Sequence, residues 1–259
     1  MIPKVIHYCW FGRNPLPPLA VKCIKSWKKY LPDYEIKEWN EDNFDVNSIP
    51  YTREAYEARK YAFVSDYARF YILYHHGGLY FDTDVEVIKP MDDIIVRGAF
   101  MGCEKEANKS GATVPEIAPG LELGCNPGLG LGCNPGLGLY AEILELYAGF
   151  HFLRANGRLN LKTVVEYTTE LLVAKGLKNS DEVQQVSDVW IYPKEYFCPI
   201  CFETKKCVIT ENTRTIHHYA ASWHGTKEKI MLFIIATIGK KSVNAILRAR
   251  RYIQKFLFL

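Results

Sequence analysis

The sequence predicts an α/β fold with a mostly parallel central sheet flanked by helices. Between residues 3 and 90, β-branched apolar runs alternate with runs of helical periodicity. This alternation favours parallel strands joined by crossover helices. The chain has 259 residues, of which 48% are hydrophobic and 14% aromatic. Its length and composition suit one globular α/β domain and exclude an intrinsically disordered protein.

Five elements are predicted before residue 77. Apolar β-branched runs indicate the strands, and apolar residues at helical spacing indicate the helices. Gly77 is placed to end the last helix, and a proline pair begins the first one. In order, the elements are a strand over residues 3–10, a helix over 17–30, a strand over 34–39 and helices over 51–59 and 61–74.

Two aspartates one residue apart, Asp82 and Asp84, follow a glycine pair and a short apolar run. If a strand continues through them, both side chains point to the same face of the sheet. Paired carboxylates repel each other unless a cation lies between them, and a hard divalent cation that also binds diphosphate oxygens meets that need. The pattern favours a divalent-metal site. The alternative is a solvated strand end.

The helix over residues 61–74 brings more polar side chains to this pair. Ser65, Asp66 and Arg69 are three and four residues apart, so they share one face of the helix. That face leads into the strand of the two aspartates, which predicts a patch that holds hydroxyls and phosphates. The alternative is an ordinary surface pair between Asp66 and Arg69, which stabilises little.

The second half of the chain is less regular. Residues 104–119 lack periodicity and are predicted to form a loop. An octapeptide then occurs twice, at 124–131 and 132–139. Two copies are too few for a solenoid, so we favour an interpretation of their glycines as turn residues. The alternative is that the first copy borders the site and the second turns into the helix over 140–149. The other predicted elements are strands over 85–90, 99–103 and 189–192 and helices over 140–149 and 161–174.

A polar segment near the end of the chain contains His217, His218, Ser222 and Trp223. An imidazole that returns from a distant part of the chain completes a metal site begun by carboxylates. A serine hydroxyl adds an oxygen ligand, and an indole N–H donates to a phosphate oxygen. Without the upstream aspartates, both histidines would be interpreted as structural.

The eight cysteines are predicted to be reduced cytosolic thiols, because the N-terminus runs directly into a strand pattern instead of a signal peptide. Cys198, Cys201 and Cys207 form a group that suggests zinc. A second ligand pair at zinc-finger spacing is lacking, which disfavours that interpretation.

The net charge of +3 conceals a basic C-terminal segment, with eight Lys and Arg against one Glu after residue 225. Its initial apolar run is shorter than the about 20 residues that span a bilayer. We predict a main domain over 1–225 and a basic amphipathic helical tail over 226–259 that lies on an anionic membrane surface. The alternative is a helix packed on the domain with a solvated basic face.

Three sets of residues, in this order, resemble a known family of sugar-transferring enzymes. They are the opening run 2–12, the run from Ser65 to Asp84, and the segment from His217 to Trp223. The pattern resembles glycosyltransferase family 32 and the capsular polysaccharide synthesis proteins, and more distantly the clostridial glucosylating toxins. The resemblance spans about residues 1–225 and implies the glycosyltransferase-A fold, with a Rossmann-like sheet.

The resemblance implies a role for each site residue. Asp82 and Asp84 are the catalytic pair that holds Mn²⁺ or Mg²⁺ on the donor diphosphate, with Asp84 in direct contact. Trp10 stacks on the nucleotide base, an interaction of about 1–3 kcal/mol. The other contacts to the nucleotide sugar are assigned to Ser65, Asp66, Arg69, Tyr80, Asn126, Ser222 and Trp223. The toxins use a carboxylate where this chain has His217 and His218, so which of the two histidines meets the metal stays open.

The expected function is metal-dependent transfer of a hexose from a nucleotide sugar, UDP-sugar favoured, to a saccharide or lipid-linked acceptor. The resemblance implies retention of anomeric configuration and a role in capsular or cell-surface polysaccharide biosynthesis. The expected location is cytoplasmic, on the inner face of the plasma membrane. No nucleic acid partner is expected, because the basic character belongs to the tail.

Two alternatives stay open. One is a non-catalytic subunit of polysaccharide assembly that binds a nucleotide sugar. The other is a haloacid-dehalogenase-type phosphatase, whose Asp-x-Asp pattern resembles Asp82 and Asp84. The phosphatase is disfavoured because its pattern requires Thr or Val where Glu86 stands.

Overall fold

The computed structural model of the protein describes residues 1–106, 123–201 and 206–220. Residues Met1–Tyr219 form one compact unit. Ser222, Trp223 and the predicted tail over 226–259 lie outside the described residues, as does most of the loop predicted over 104–119. No helix in the described part of the chain is long and apolar enough to cross a membrane.

Nine strands and seven helices are present in these described ranges. The strands are β1 (Val5–Cys9), β2 (Glu35–Trp39), β3 (Gly78–Tyr80), β4 (Val85–Val87), β5 (Phe100–Cys103), β6 (Cys125–Cys133), β7 (Gln184–Val186), β8 (Val189–Tyr192) and β9 (Thr215–His217). The helices are α1 (Pro18–Tyr30), α2 (Pro50–Glu57), α3 (Tyr61–His76), α4 (Asp92–Ile95), α5 (Gly138–Ala148), α6 (Val164–Ala174) and α7 (Lys194–Phe197). All five elements predicted before residue 77 are present.

Seven strands form the main sheet in the order β2-β1-β3-β6-β5-β8-β7, and β4 pairs with β9 in a separate sheet. β1 is parallel to β2 and β3, and β5 is parallel to β8. β6 is antiparallel to β3 and β5, and β7 is antiparallel to β8. Every strand of this sheet except β6 and β7 therefore points the same way. The predicted α/β class with a mostly parallel sheet and flanking helices is confirmed.

Helices cover both faces of the sheet. Ile6 and Tyr8 of β1 pack in one hydrophobic cluster with Trp27 of α1, and the Tyr8 and Trp27 ring centroids are 5.8 Å apart. Cys9 of the same strand packs in a second cluster with Phe70 of α3. Because alternate residues of a strand face opposite ways, α1 and α3 lie on opposite faces. Burial of each large apolar side chain contributes about 1.5–3 kcal/mol.

Helix α3 ends at Gly77, as predicted. Gly77 has a φ of +63°, and its N–H donates to the Leu73 carbonyl at 2.9 Å. A Cβ at this position would lie 2.6 Å from Cδ of Pro135 and 2.9 Å from the Cys133 carbonyl oxygen. Glycine therefore allows α3 to turn directly into β3, which leads to the two aspartates.

The prediction of one strand through Asp82 and Asp84 is wrong. β3 ends at Tyr80, β4 begins at Val85, and the Val85 N–H donates to the Asp82 carbonyl across a turn at 3.0 Å. The interruption arises because β3 pairs with β1 and β6, whereas β4 pairs with β9 in the other sheet. The orientation of the two carboxylates is therefore determined by this turn and not by strand alternation.

The interpretation of the repeat glycines as turn residues is also wrong for residues 125–133. This stretch forms β6, which is buried at every position and lies in the middle of the sheet. Its glycines allow close packing, since a Cβ on Gly132 would lie 2.2 Å from Cε1 of Phe100. The second copy of the repeat leads into α5, close to where a helix is predicted.

Candidate functional site

Arg69 lies at the centre of a buried charge cluster. Its side chain is 4% exposed, and its Nη2 atom lies 3.0 Å from Oδ1 of Asp66 and 3.3 Å from Oδ1 of Asp82. Its Nε donates to the Ser65 carbonyl at 3.0 Å. One cation therefore links α3 to the Asp82 turn, and the polar patch predicted on α3 faces that turn. Its burial distinguishes this cluster from an ordinary surface ion pair.

The protonation of this cluster follows from its burial. Burial raises the pKa of Asp66 to about 7; Arg69 and a Val164 backbone hydrogen bond lower this pKa, and Asp82 raises it. Burial disfavours the charged form of Arg69, but Asp82, Tyr80 and Asp66 outweigh that effect and raise the pKa of Arg69. Arg69 therefore stays charged, while Asp66 takes up a proton near neutral pH.

Tyr80 supports the Asp82 carboxylate from the sheet. Tyr80 is buried, and its hydroxyl donates to Oδ1 of Asp82 at 3.0 Å. The guanidinium carbon of Arg69 lies 5.0 Å from the Tyr80 ring centroid, which is within range of a cation–π interaction. These contacts hold the Asp82 side chain in one orientation. The Tyr80 hydroxyl therefore positions Asp82, and the predicted contact from Tyr80 to the nucleotide sugar stays a prediction.

Strand β6 approaches Asp82 closely at Gly128. The Asp82 N–H donates to the Gly128 carbonyl at 2.9 Å. A Cβ on Gly128 would lie 1.9 Å from Oδ2 of Asp82, so the carboxylate occupies the space that any larger residue would fill. Sequence reasoning missed this role of Gly128. The signal is a glycine in an apolar run that is otherwise suited to a strand, which marks a close approach.

Both polar atoms of the Asn126 side chain are hydrogen-bonded within the protein. Its Oδ1 accepts from the Gly128 N–H at 2.8 Å, and its Nδ2 donates to Oε2 of Glu104 at 2.9 Å. The predicted contact from Asn126 to the sugar stays a prediction. The observed bonds give Asn126 and Glu104 a different role, which is to hold Gly128 against Asp82. Glu104 is a second residue that sequence reasoning missed.

The second aspartate pairs with a histidine from β9. Nε2 of His217 lies 3.4 Å from Oδ1 of Asp84, because Val85 pairs with His217 in the β4–β9 sheet. Burial lowers the pKa of His217, but Asp84 and then Cys198 outweigh it and raise this pKa to about 10. The Nδ1 atom of His217 is buried and has no hydrogen-bond partner among the described residues. His217 therefore supplies a positive charge to Asp84.

The neighbouring histidine has a different partner. Nε2 of His218 lies 2.8 Å from Oε2 of Glu86, and Nζ of Lys22 lies 2.8 Å from the same oxygen. The backbone N–H of His218 donates to the Asp84 carbonyl at 3.0 Å. Of the two histidines predicted as metal ligands, His217 is therefore the one whose ring approaches the Asp-x-Asp turn.

Trp10 follows β1 directly, and Ser65 lies on α3. Trp10 is half-buried, and its Nε1 donates to the Asn14 carbonyl at 2.6 Å. This bond orients the indole while part of its surface stays exposed, as stacking on a base requires. The Ser65 hydroxyl donates to the Tyr61 carbonyl at 3.3 Å. Ligands of open α/β sheets bind at the carboxyl ends of strands, where Trp10 stands.

The carboxylate oxygens of Asp82 and Asp84 suit a divalent cation as ligands. Side chains of Asp82 and Asp84 are 31% and 16% exposed, so both carboxylates are accessible. The described residues contain no group of three or more His, Cys, Asp or Glu placed to hold a metal. Mg²⁺ in phosphate-binding sites takes one or two carboxylates and completes its shell with substrate phosphates and water. Nor do the described residues form such a group at Cys198, Cys201 and Cys207.

A comparison with protein families identifies the segment that carries this geometry. Residues 17–101 match a family described as "Glycosyltransferase sugar-binding region containing DXD motif". The match contains α3, with Ser65, Asp66 and Arg69, and the turn with Asp82 and Asp84. It confirms the resemblance that the sequence predicts.

Curated relatives of this chain carry the names of glycosyltransferases. The chain is 33% identical over 98 residues to inositol phosphoceramide mannosyltransferase 3 of Schizosaccharomyces pombe, a match that covers 36% of this chain and 27% of the relative. It is also 33% identical over 114 residues to an uncharacterized glycosyltransferase of Acanthamoeba polyphaga mimivirus, with 42% and 45% covered. These matches span less than half of each relative's length.

Two solved structures align over longer segments. PaToxG glycosyltransferase is 18% identical with a TM-score of 0.44, and the alignment covers 68% of this chain and 70% of that one. A glycosyltransferase involved in the glycosylation of the major capsid of PBCV-1 is 12% identical with a TM-score of 0.43, and 90% and 100% are covered. Both TM-scores are below 0.5, so the similarity to glycosyltransferases rests on the sequence match. Residues 17–101 of this chain are similar to the DXD-containing sugar-binding region of glycosyltransferases.

Proposed function

We propose that the protein is a glycosyltransferase of glycosyltransferase-A type that transfers a hexose from a nucleotide sugar to a saccharide or lipid-linked acceptor. The observation that carries this proposal is the buried Arg69 cluster. It joins Asp66 and Asp82 directly beside Asp84, inside the matched segment 17–101. A fixed cation and two accessible carboxylates at one turn suit the binding of a diphosphate sugar.

Each residue has a role in this proposal. A divalent cation held by Asp84 and Asp82 would neutralise charge on the leaving nucleoside diphosphate. Arg69 holds Asp82 in place. Asp66 accepts a hydrogen bond from a sugar hydroxyl when it is ionised and donates one when it is protonated. Trp10 stacks on the base. Ser222 and Trp223 contact the metal and diphosphate in the proposed main domain 1–225.

The proposal also names a donor and an acceptor. The resemblance to family 32 favours a UDP-sugar and retention of configuration. The names of the curated relatives include mannosyltransferases that act on inositol phosphoceramide, which adds a mannose donor to the candidates. The acceptor we propose is a saccharide or a lipid-linked saccharide of capsular or cell-surface polysaccharide, reached at the inner membrane face with the help of the basic tail.

Turnover is the direct test of this function. Purified protein is incubated with Mn²⁺ or Mg²⁺ and UDP-, GDP- or CMP-sugars, and release of the nucleoside phosphate is followed. We expect release from one donor, dependent on metal and lost in Asp84→Asn. Asp188→Asn is the matched control, because Asp188 is exposed, and asparagine tolerates its φ of +63°.

The two alternatives give different results in the same preparation. A non-catalytic subunit would bind a nucleotide sugar and be stabilised by it, but it would release nothing over long incubation. A phosphatase of haloacid-dehalogenase type would be trapped by BeF₃⁻ at an aspartate. Either result would contradict the proposed function.

A further inference from the structure

A hairpin between α5 and α6 stands outside the site described above. Leu153 pairs with Leu159 in antiparallel geometry, and the Arg154 N–H donates to the Arg158 carbonyl at 2.9 Å. The turn closes at Gly157, whose φ is +73°. Glycine suits this turn because other residues rarely adopt a positive φ. We call residues 151–162 the basic hairpin.

The basic hairpin has one buried side and one exposed side. Phe152 is buried, with its ring centroid 4.9 Å from that of Phe63 and 5.6 Å from that of Tyr51. On the other side, Leu153 is 50% exposed and Leu161 is 56% exposed. The hairpin is therefore anchored to the core by an aromatic side chain while two leucines project into solvent.

The charged side chains within the hairpin are all positive, and one carboxylate from outside it, Glu54 of α2, contacts His151. Residues 151–162 contain Arg154, Arg158 and Lys162 and no Asp or Glu. Lys162 pairs with Glu170, whereas neither arginine has a carboxylate partner among the described residues. Nη2 of Arg154 donates to Oδ1 of Asn160 at 2.9 Å. Two exposed arginines therefore stand beside two exposed leucines.

The basic hairpin contacts elements that carry residues of the candidate site. Phe63, which packs on Phe152, lies on α3 two residues before Ser65. The hairpin leads into α6 through a capping box at Thr163, and the next residue, Val164, makes the backbone hydrogen bond to Asp66. A surface that binds the hairpin is therefore held close to the sugar-binding face of α3.

We propose that the basic hairpin binds an anionic phospholipid surface. The two arginines contact lipid phosphates, and Leu153 and Leu161 enter the boundary between headgroups and acyl chains. Exposed apolar side chains bordered by unpaired cations are the combination that anionic interfaces bind, and each basic residue near such a surface strengthens binding. This contact is distinct from the tail proposed over 226–259. It does not depend on whether the transfer reaction takes place.

The test is vesicle binding by the full chain. Sedimentation with vesicles of phosphatidylcholine, with and without phosphatidylglycerol, gives the partition constant. We expect Arg154→Glu with Arg158→Glu to lower binding to anionic vesicles by about tenfold or more. We expect Leu153→Ser with Leu161→Ser to lower binding to anionic vesicles at both low and high salt, because the apolar contribution persists where the charge contribution is screened. Both variants keep the basic tail, so the difference from wild type measures the hairpin alone.

The matched control reverses two exposed lysines elsewhere, Lys25→Glu with Lys178→Glu, and we expect it to bind nearly as wild type. Equal loss in the control and the arginine variant would show a general charge effect and overturn the proposal. Unchanged binding in both hairpin variants, with unchanged melting temperatures, would also overturn it. If the leucine variant instead lowers the molecular mass in solution and leaves vesicle binding intact, the hairpin contacts a second copy of the chain and the proposal is wrong.

Discussion

The carboxylate of Asp82 packs against the α-carbon of Gly128, so closely that a Cβ there would lie 1.9 Å from Oδ2. The same two residues share a backbone hydrogen bond of 2.9 Å from the Asp82 N–H to the Gly128 carbonyl. The central strand β6 therefore determines where the first aspartate of the turn stands. Asp82 in turn is held by Arg69 and Tyr80.

The first prediction concerns this close approach. Gly128→Ala displaces the Asp82 carboxylate from Arg69, so we expect donor binding to fall by more than tenfold and the free energy of unfolding to fall by about 1–3 kcal/mol. Donor titration and urea unfolding measure the two effects. Gly138→Ala is the control, because no atom lies within 4 Å of a Cβ at Gly138. Equal behaviour of the two variants would contradict the role of Gly128.

The second prediction concerns the buried cation. Arg69→Met leaves Asp66 and Asp82 without their counter-charge, so we expect the free energy of unfolding to fall by about 3–5 kcal/mol. Urea unfolding at pH 7 measures it. In the exposed pair of Arg13 with Asp42, Arg13→Met should leave the free energy of unfolding nearly unchanged. An equally small effect of Arg69→Met would mean that the cluster does not depend on the arginine.

The third prediction is a pH dependence. The folded protein raises the pKa of Asp66 from 3.8 to about 7, so between these values the folded state holds a proton that the unfolded state has released. The free energy of unfolding therefore falls as pH rises from 4 to 7. Above pH 7 the contribution of Asp66 no longer changes. Asp66→Asn lacks this effect. Urea unfolding across that range measures the free energy of unfolding of both proteins. Relative to Asp66→Asn, we expect the value for wild type to fall by up to a few kcal/mol as pH rises.

A constant difference between wild type and Asp66→Asn from pH 4 to pH 7 would contradict this expectation. A difference that moves in favour of wild type with rising pH would show that Arg69, and not burial, dominates the carboxyl group. The raised pKa of His217, about 10, does not interfere. Its stabilising contribution is fully present below pH 6.5 and falls between pH 6.5 and 10 in wild type and variant alike, so it cancels in the difference.

The fourth prediction separates the two histidines. His217 lies beside Asp84, whereas His218 pairs with Glu86. We expect His217→Gln to change the Mn²⁺ concentration that gives half of the donor-dependent thermal shift by at least about fivefold, since its removal alters the charge at Asp84. We expect His218→Gln to leave that concentration unchanged. The reverse order of effects would assign the metal-site role to His218.

Much of the fold follows from the sequence where local signals are strong. Helix α3 has continuous apolar periodicity and ends at a glycine, so its bounds and its polar face are predictable. Strand β1 and the position of Trp10 after it are predictable for the same reason. Side-chain spacing also predicts that Ser65, Asp66 and Arg69 share a face.

Other features depend on distant partners and carry no local signal. The turn at Asp82 and Asp84 arises because β3 and β4 enter different sheets, which single-strand periodicity does not reveal. The glycines of β6 resemble turn residues, but they are required by Phe100 and Asp82 from neighbouring elements. The distinction between His217 and His218 likewise depends on register with β4. These are tertiary effects that override local propensity.

The measurement that tests the central claim most directly is the melting temperature of the protein with Mn²⁺ and a panel of UDP-, GDP- and CMP-sugars, repeated on Asp84→Asn. A ligand that binds only the folded state raises the melting temperature, even when binding is weak. We predict a metal-dependent rise with one donor that is absent in Asp84→Asn and retained in Asp188→Asn. No rise with any donor, or a rise that Asp84→Asn retains, would contradict the assignment of this turn as the nucleotide-sugar site.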